Sequence, residues 1–140
     1  MLYGNDRDQL RRFYCDAWRR LREQAPLEPL ERQVAELVGE HPEYHRLLED
    51  PDAALGAEFT PESGQGNPFL HMGLHLTIRD QAATDRPAGF THAYRDLVQR
   101  IGAHEAEHAI MECLGRALWE AQHSGQPPDD RAYLECVRSL

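Results

Sequence analysis

Lysine is missing from the 140 residues, and all 15 basic side chains are arginine. That absence excludes a lysine Schiff base and the lysine of a phosphate-binding P-loop. Basic charge is short as well. With 24 acidic residues the formal charge is -9, so the electrostatic footprint for nucleic acid phosphates or anionic lipid is lacking. Neither nucleic acid nor a membrane is expected as a partner. Cysteine is scarce. Cys15, Cys113 and Cys136 are far apart, odd in number and outside any C-x-x-C pair. They suggest neither a disulfide framework nor a cysteine zinc site, and three buried thiols in a reducing compartment are expected. No apolar run approaches the roughly 20 residues of a membrane span, and the opening MLYGNDRDQLRRF lacks the apolar core of a signal peptide. A cytoplasmic location is the expectation.

Alternation of β-branched and polar residues is also lacking, so no sheet is expected. Arginine, glutamate, leucine and alanine dominate instead, and 41% of the chain is hydrophobic, enough for one core at this length. The reading is an all-α bundle of six or seven helices in a single domain, residues 1–140. Asn5 or Asp6 is placed to cap a first helix whose inward side is Leu10, Phe13, Tyr14, Ala17, Trp18 and Leu21. Arginines fill much of its other side. A second helix spans residues 30–38 and stops at Gly39, and a third, short one starts at Pro42 and runs through Leu48. Residues 50–66, with two prolines and three glycines, read as one long loop.

Asn67 and Pro68 restart the chain as cap and first residue of a helix to about Ala83. A fifth helix follows Gly89, with Tyr94, Leu97, Val98 and Ile101 inward. A sixth covers residues 103–123, and a seventh begins near Asp129. On the sixth, Ile110, Leu114, Ala117 and Leu118 define the apolar side.

Eight histidines are the conspicuous surplus, and six of them form pairs four residues apart: 41 and 45, 71 and 75, 104 and 108. Random placement of eight would give roughly 0.4 such pairs. That spacing puts two imidazoles on one helix face a turn apart, the arrangement in which both reach one metal ion. The alternatives are solvated histidines, helix caps, or core histidines bonded to backbone carbonyls. His71 and His75 stand in NPFLHMGLHLTIRDQ, apolar on nearly every side, so a buried helix is expected there and both rings need partners. On the sixth helix Glu107 falls in the apolar arc, with His104, His108 and Glu112 along its edge, a nitrogen and carboxylate ladder suited to iron, manganese or zinc. Glu107 or Glu112 is expected as a ligand, and Glu105 behind the ligands. His41 and His45 complete or cap the site, although Pro42 places His41 at a helix start. His92 and His123 have no partner at ligand spacing and are expected to face solvent.

Two other readings compete. His104-Glu105-Ala106-Glu107-His108 satisfies H-E-x-x-H, the zinc hydrolase pattern, but a protease would also need a third ligand and a substrate-binding strand. Cys113 lies five residues from His108, on another face, which disfavours a cysteine–histidine nucleophile. No G-x-S-x-G or dinucleotide fingerprint appears. The non-catalytic alternative is an interaction or assembly module with structural histidines, its arginine-rich first helix docking an acidic partner or a second copy of the chain.

The segments RDQLRRFYCDAWRRLR, EHPEYHRLLEDPDAALGAEFTPESGQGNPFLHMGLHLTIRDQ, TDRPAG, HEAEHAIMECLGRALWEAQ and AYLECVRSL resemble the bacterial family DUF1841 over nearly the whole chain. The resemblance implies no substrate, cofactor or catalytic residue, because the family carries no assigned activity. A looser likeness is to hemerythrin-like and DinB-like metal-binding bundles, at His71/His75, His104/His108 and His108/Glu112. Together these readings favour a metal-binding helical bundle with a histidine-rich, carboxylate-assisted centre of one or two ions. Oxygen or redox chemistry is conceivable if a coordination position stays open.

Overall fold

The computed structural model describes residues 2–59 and 66–140, which form eight α-helices and no strand. Among the described residues no helix is long and apolar enough to cross a membrane. The chain divides into two compact units, Met1–Met72 and Gly73–Leu140.

The first unit contains α1 (Leu2–Arg22), α2 (Pro29–Gly39), a 3₁₀ turn (Pro42–Tyr44), α3 (His45–Leu48), α4 (Pro51–Gly56) and the first turn of α5 (Pro68–Thr84). Its core is Tyr14, Ala17, Trp18, Val34, Leu37, Val38 and Leu48. Helix α1 starts at Leu2, so Asn5 and Asp6 lie inside it and are not its cap. Its buried stripe also departs from the expected one. Leu10 is 52% exposed, whereas Arg11 is only 5% exposed.

The exchange follows from hydrogen-bond demand at the end of α4, whose last carbonyls have no partner within their own helix. Arg11 Nη1 donates to the carbonyls of Ala54 and Ala57, each at 2.8 Å, and the guanidinium lies 4.9 Å from the Phe69 ring centre. Its planar group thus serves carbonyls and aromatic face together. Helix α4 itself replaces part of the expected long loop. Asp50 accepts from the Ala53 amide and Pro51 occupies the first turn, a cap-and-proline start like that of Asn67 and Pro68. Residues 60–65 of that expected loop lie outside the described residues.

The second unit holds the rest of α5 with α6 (Phe90–Ile101), α7 (Ala103–Ser124) and α8 (Asp130–Arg138). Ile78, Phe90, Leu97, Ile110, Leu114, Tyr133 and Val137 build its core. Caps read from the sequence are present: Asn67 accepts from the amides of Phe69 and Leu70, and Asp129 accepts from Ala132. Gly89 opens α6 at φ 96°, where an added Cβ would fall 2.8 Å from Arg138 Nη2. The amides of Gly89 and Thr91 donate to the Asp85 carboxylate.

Three expectations fail here, one of them Ile101, which was expected inward and is 45% exposed at the end of α6. Leu118 is 44% exposed, and its neighbour Ala117 packs against the core instead. Cys113 and Cys136 are joined in a disulfide across α7 and α8, with Cα atoms 5.8 Å apart, and only Cys15 is a buried free thiol. Which cysteines meet depends on how α8 folds back on α7, and spacing along the chain carries no such information.

Replacing Arg11 with alanine strands the buried Ala54 carbonyl, while the Ala57 carbonyl keeps a bond from Arg7 Nη2, so Arg11→Ala is expected to lower unfolding stability by about 2 kcal/mol. Arg12→Ala, at an exposed neighbour, should stay within about 0.5 kcal/mol of wild type in urea titrations followed by circular dichroism.

Candidate metal centre

Helix α5 carries His71 and His75 one turn apart, with ligand nitrogens within 4.8 Å of one another. Leu70, on a helix expected to be apolar and buried nearly all round, is 62% exposed, whereas one side of α5 is buried, with Phe69, Met72 and Ile78 in the interior and His75 1% exposed. A histidine in such a position must spend its N–H on a partner.

In the first unit His71 lies beside His41. Their rings meet edge to face with centroids 5.3 Å apart, and their ligand nitrogens lie within 4.8 Å. Tyr44 stacks on His41 at 5.4 Å. His41 is buried at the start of the 3₁₀ turn and donates from Nδ1 to the Leu37 carbonyl at 2.9 Å, which leaves the lone pair of a neutral ring on Nε2. His45 has a different setting. Its Nε2 donates to the Val38 carbonyl at 2.8 Å, and its ring stacks on Trp18 at 4.3 Å. The structure therefore brings His41 to His71 and places His45 against Trp18.

In the second unit His75 meets α7. Its Nδ1 lies 2.7 Å from Oε1 of Glu107, and the side chains of both residues are at most 2% exposed. The same carboxylate accepts from Arg79 Nε through both oxygens at 3.2 Å and from the Tyr94 hydroxyl at 2.6 Å. Burial by itself would raise the Glu107 pKa. Hydrogen bonds from His75, Tyr94 and Arg79, with the positive charge of Arg79, outweigh it and hold the group at about 2. The carboxylate is ionised at neutral pH, and the Nδ1 proton of His75 is fixed toward it.

That bond orients the ring, the arrangement in which a carboxylate stiffens a metal-binding histidine from behind. His108 lies on the same side, its ring 5.1 Å from that of His75 and its ligand nitrogen within 4.8 Å. His104 follows, 4.2 Å from His108 and 6.0 Å from His75, on the exposed first turn of α7. Glu105 and Glu112 are exposed, as are His92 and His123. His123 donates to the Trp119 carbonyl and stacks on that indole at 3.8 Å. For the H-E-x-x-H reading, the glutamate of the motif is thus an exposed one, and the described residues offer no strand to seat a peptide.

Arg79 and Tyr94 are the residues that sequence reasoning missed. Arg79 stands four residues after His75, a spacing that was open to inspection. Periodicity places Tyr94 inward for packing, and nothing along α6 indicates that its hydroxyl reaches α7.

The family model described as a domain of unknown function, DUF1841, matches residues 6–139. No curated protein and no solved structure matches the chain.

Glu107→Ala would strip a buried imidazole and a guanidinium of their shared anion, and a loss of about 3 kcal/mol in unfolding stability is expected. Glu112→Ala should change stability by less than about 0.5 kcal/mol. Urea midpoints of the two variants measure the contrast.

Proposed function

The chain belongs to the DUF1841 family, and we propose that it is a metal-binding protein whose ion is held by His75 and His108 of the second unit. The observation that carries this reading is the buried pair of His75 and Glu107. A core imidazole held on an ionised carboxylate by one nitrogen has its ring direction fixed, and a second imidazole stands with its ligand nitrogen within 4.8 Å. Neutral imidazole nitrogens bind zinc at about 2.0–2.1 Å, so a modest closing of the rings brings both onto one ion.

The donor set also bears on which ion. Both oxygens of Glu107 are engaged by His75, Arg79 and Tyr94, and Glu112 is exposed. Glu107 then acts behind the ligands, and the coordinating atoms are nitrogens. Such a set suits zinc, copper or nickel better than manganese, which prefers oxygen. Of the iron, manganese and zinc considered from the sequence, zinc fits best. A bound zinc ion would supply a fixed positive centre and, with a position open to water, a Lewis acid. This chain's part is to aim the imidazoles, hold the Nδ1 proton of His75 on Glu107 and keep that carboxylate charged.

The test is elemental analysis of protein purified without a histidine tag. About one zinc per chain is expected, falling to a small fraction in His75→Ala and His108→Ala and unchanged in His92→Ala. Because alanine at a core position can disturb folding, a second measurement uses wild-type protein alone. Chelator should lower its melting temperature and zinc should restore it, since ligand at 100 times its Kd stabilises by about 2.7 kcal/mol. Metal-free protein whose melting ignores both chelator and zinc would overturn the reading, and would leave the histidines as packing elements of an assembly module.

A further inference from the structure

Away from the histidines, the second unit contains a pair of sulfur atoms that the proposed metal centre does not use. Cys113 on α7 and Cys136 on α8 form a disulfide, and both line a cavity of about 180 Å³ together with Arg116, Glu120, Asp129 and Tyr133. The two cysteines differ in access. Cys113 is 3% exposed, whereas Cys136 is only half-buried.

Helix α8 is held by contacts besides the disulfide. Tyr133 donates to Gln81 Oε1 at 2.7 Å and stacks on Phe90 at 5.7 Å, and Leu134 and Val137 are buried in the core. Asp129 caps its first turn. With those contacts intact, the sulfur atoms can separate and meet again without the helix leaving. A disulfide that is reachable from solvent and flanked by contacts that survive its opening is of the exchangeable rather than the purely structural kind.

We propose that Cys113–Cys136 is a thiol–disulfide exchange site for low-molecular-weight thiols, entered from this cavity and attacked at Cys136. In the first step the thiolate of the small molecule, its proton already lost to solvent, forms a bond to the sulfur of Cys136. The Cys113–Cys136 bond breaks, and Cys113 leaves as a thiolate that takes a proton from water. A second small thiolate then attacks the mixed disulfide at its own sulfur. This releases Cys136 as a thiolate and yields the small-molecule disulfide. Two electrons pass to the protein, and a small-molecule disulfide reverses both steps. The order is set by access: Cys136, the half-buried residue, receives the nucleophile, and Cys113, the buried residue, is the leaving group and later the resolving thiol.

The site is independent of the metal reading, because none of its residues is a proposed ligand. Glutathione and its disulfide serve as the probe. Native protein is equilibrated over a series of their ratios, quenched with acid, alkylated and weighed intact. Cys113 and Cys136 should convert together and reversibly, with Cys15 unmodified and helical circular dichroism unchanged. In Cys113→Ala, glutathione disulfide should add one glutathionyl group at Cys136. In Cys136→Ala, the reaction at Cys113 should be at least about tenfold slower, as burial of that sulfur dictates. The proposal fails if wild-type Cys113 and Cys136 exchange only in denaturant, or if Cys113 is modified as fast as Cys136. The wild-type titration decides the first point even if a variant does not fold.

Discussion

A single ionised carboxylate in the interior of the second unit sets the terms for what surrounds it. Glu107 is 2% exposed, and a charge taken out of water is costly unless other groups replace its solvation. Three donors from two other helices do so: His75 and Arg79 from α5 and Tyr94 from α6. Each is held in turn. Arg79 contacts both oxygens, Tyr94 approaches to 2.6 Å, and His75 gives up one ring nitrogen. The relative positions of α5, α6 and α7 are thereby fixed by a polar contact as well as by the apolar core beside it.

The chemistry proposed for the histidines follows from that contact. An unrestrained imidazole samples two tautomers and several rotamers, and a metal ion must offset that freedom on binding. His75 has one tautomer and one orientation imposed by Glu107, so its Nε2 is preorganised. The carboxylate contributes most when it stays behind the imidazole, because moving onto an ion would leave Arg79 and Tyr94 without their acceptor. On that proposal the acidic residue expected as a ligand instead aims one.

Much of the architecture was legible in the residues. Asn67 and Pro68 start a helix, Asp129 caps another, and Gly102 separates α6 from α7, each through local backbone chemistry that needs no distant partner. Helix α4 was legible too and was missed, since Asp50 and Pro51 carry the same start signal inside a stretch whose glycines and prolines suggest a loop. Arg11 was not legible. Periodicity assigns an arginine to solvent, and its burial depends on the carbonyls that α4 turns toward it. The Cys113–Cys136 bond is of the same kind, for 23 residues of separation carry no sign of pairing.

By itself the sequence determined an all-helical chain, the want of a basic surface for nucleic acid, and histidines paired at the pitch of a helix. These are properties of composition and of neighbours within a few residues. Tertiary structure decided which acid meets which imidazole: Glu107 faces His75 while Glu105 and Glu112 lie in solvent, and His41 joins His71 while His45 stacks on Trp18. The pitch of a helix fixes which side chains share a face, and only the packing of one helix on another fixes what that face touches.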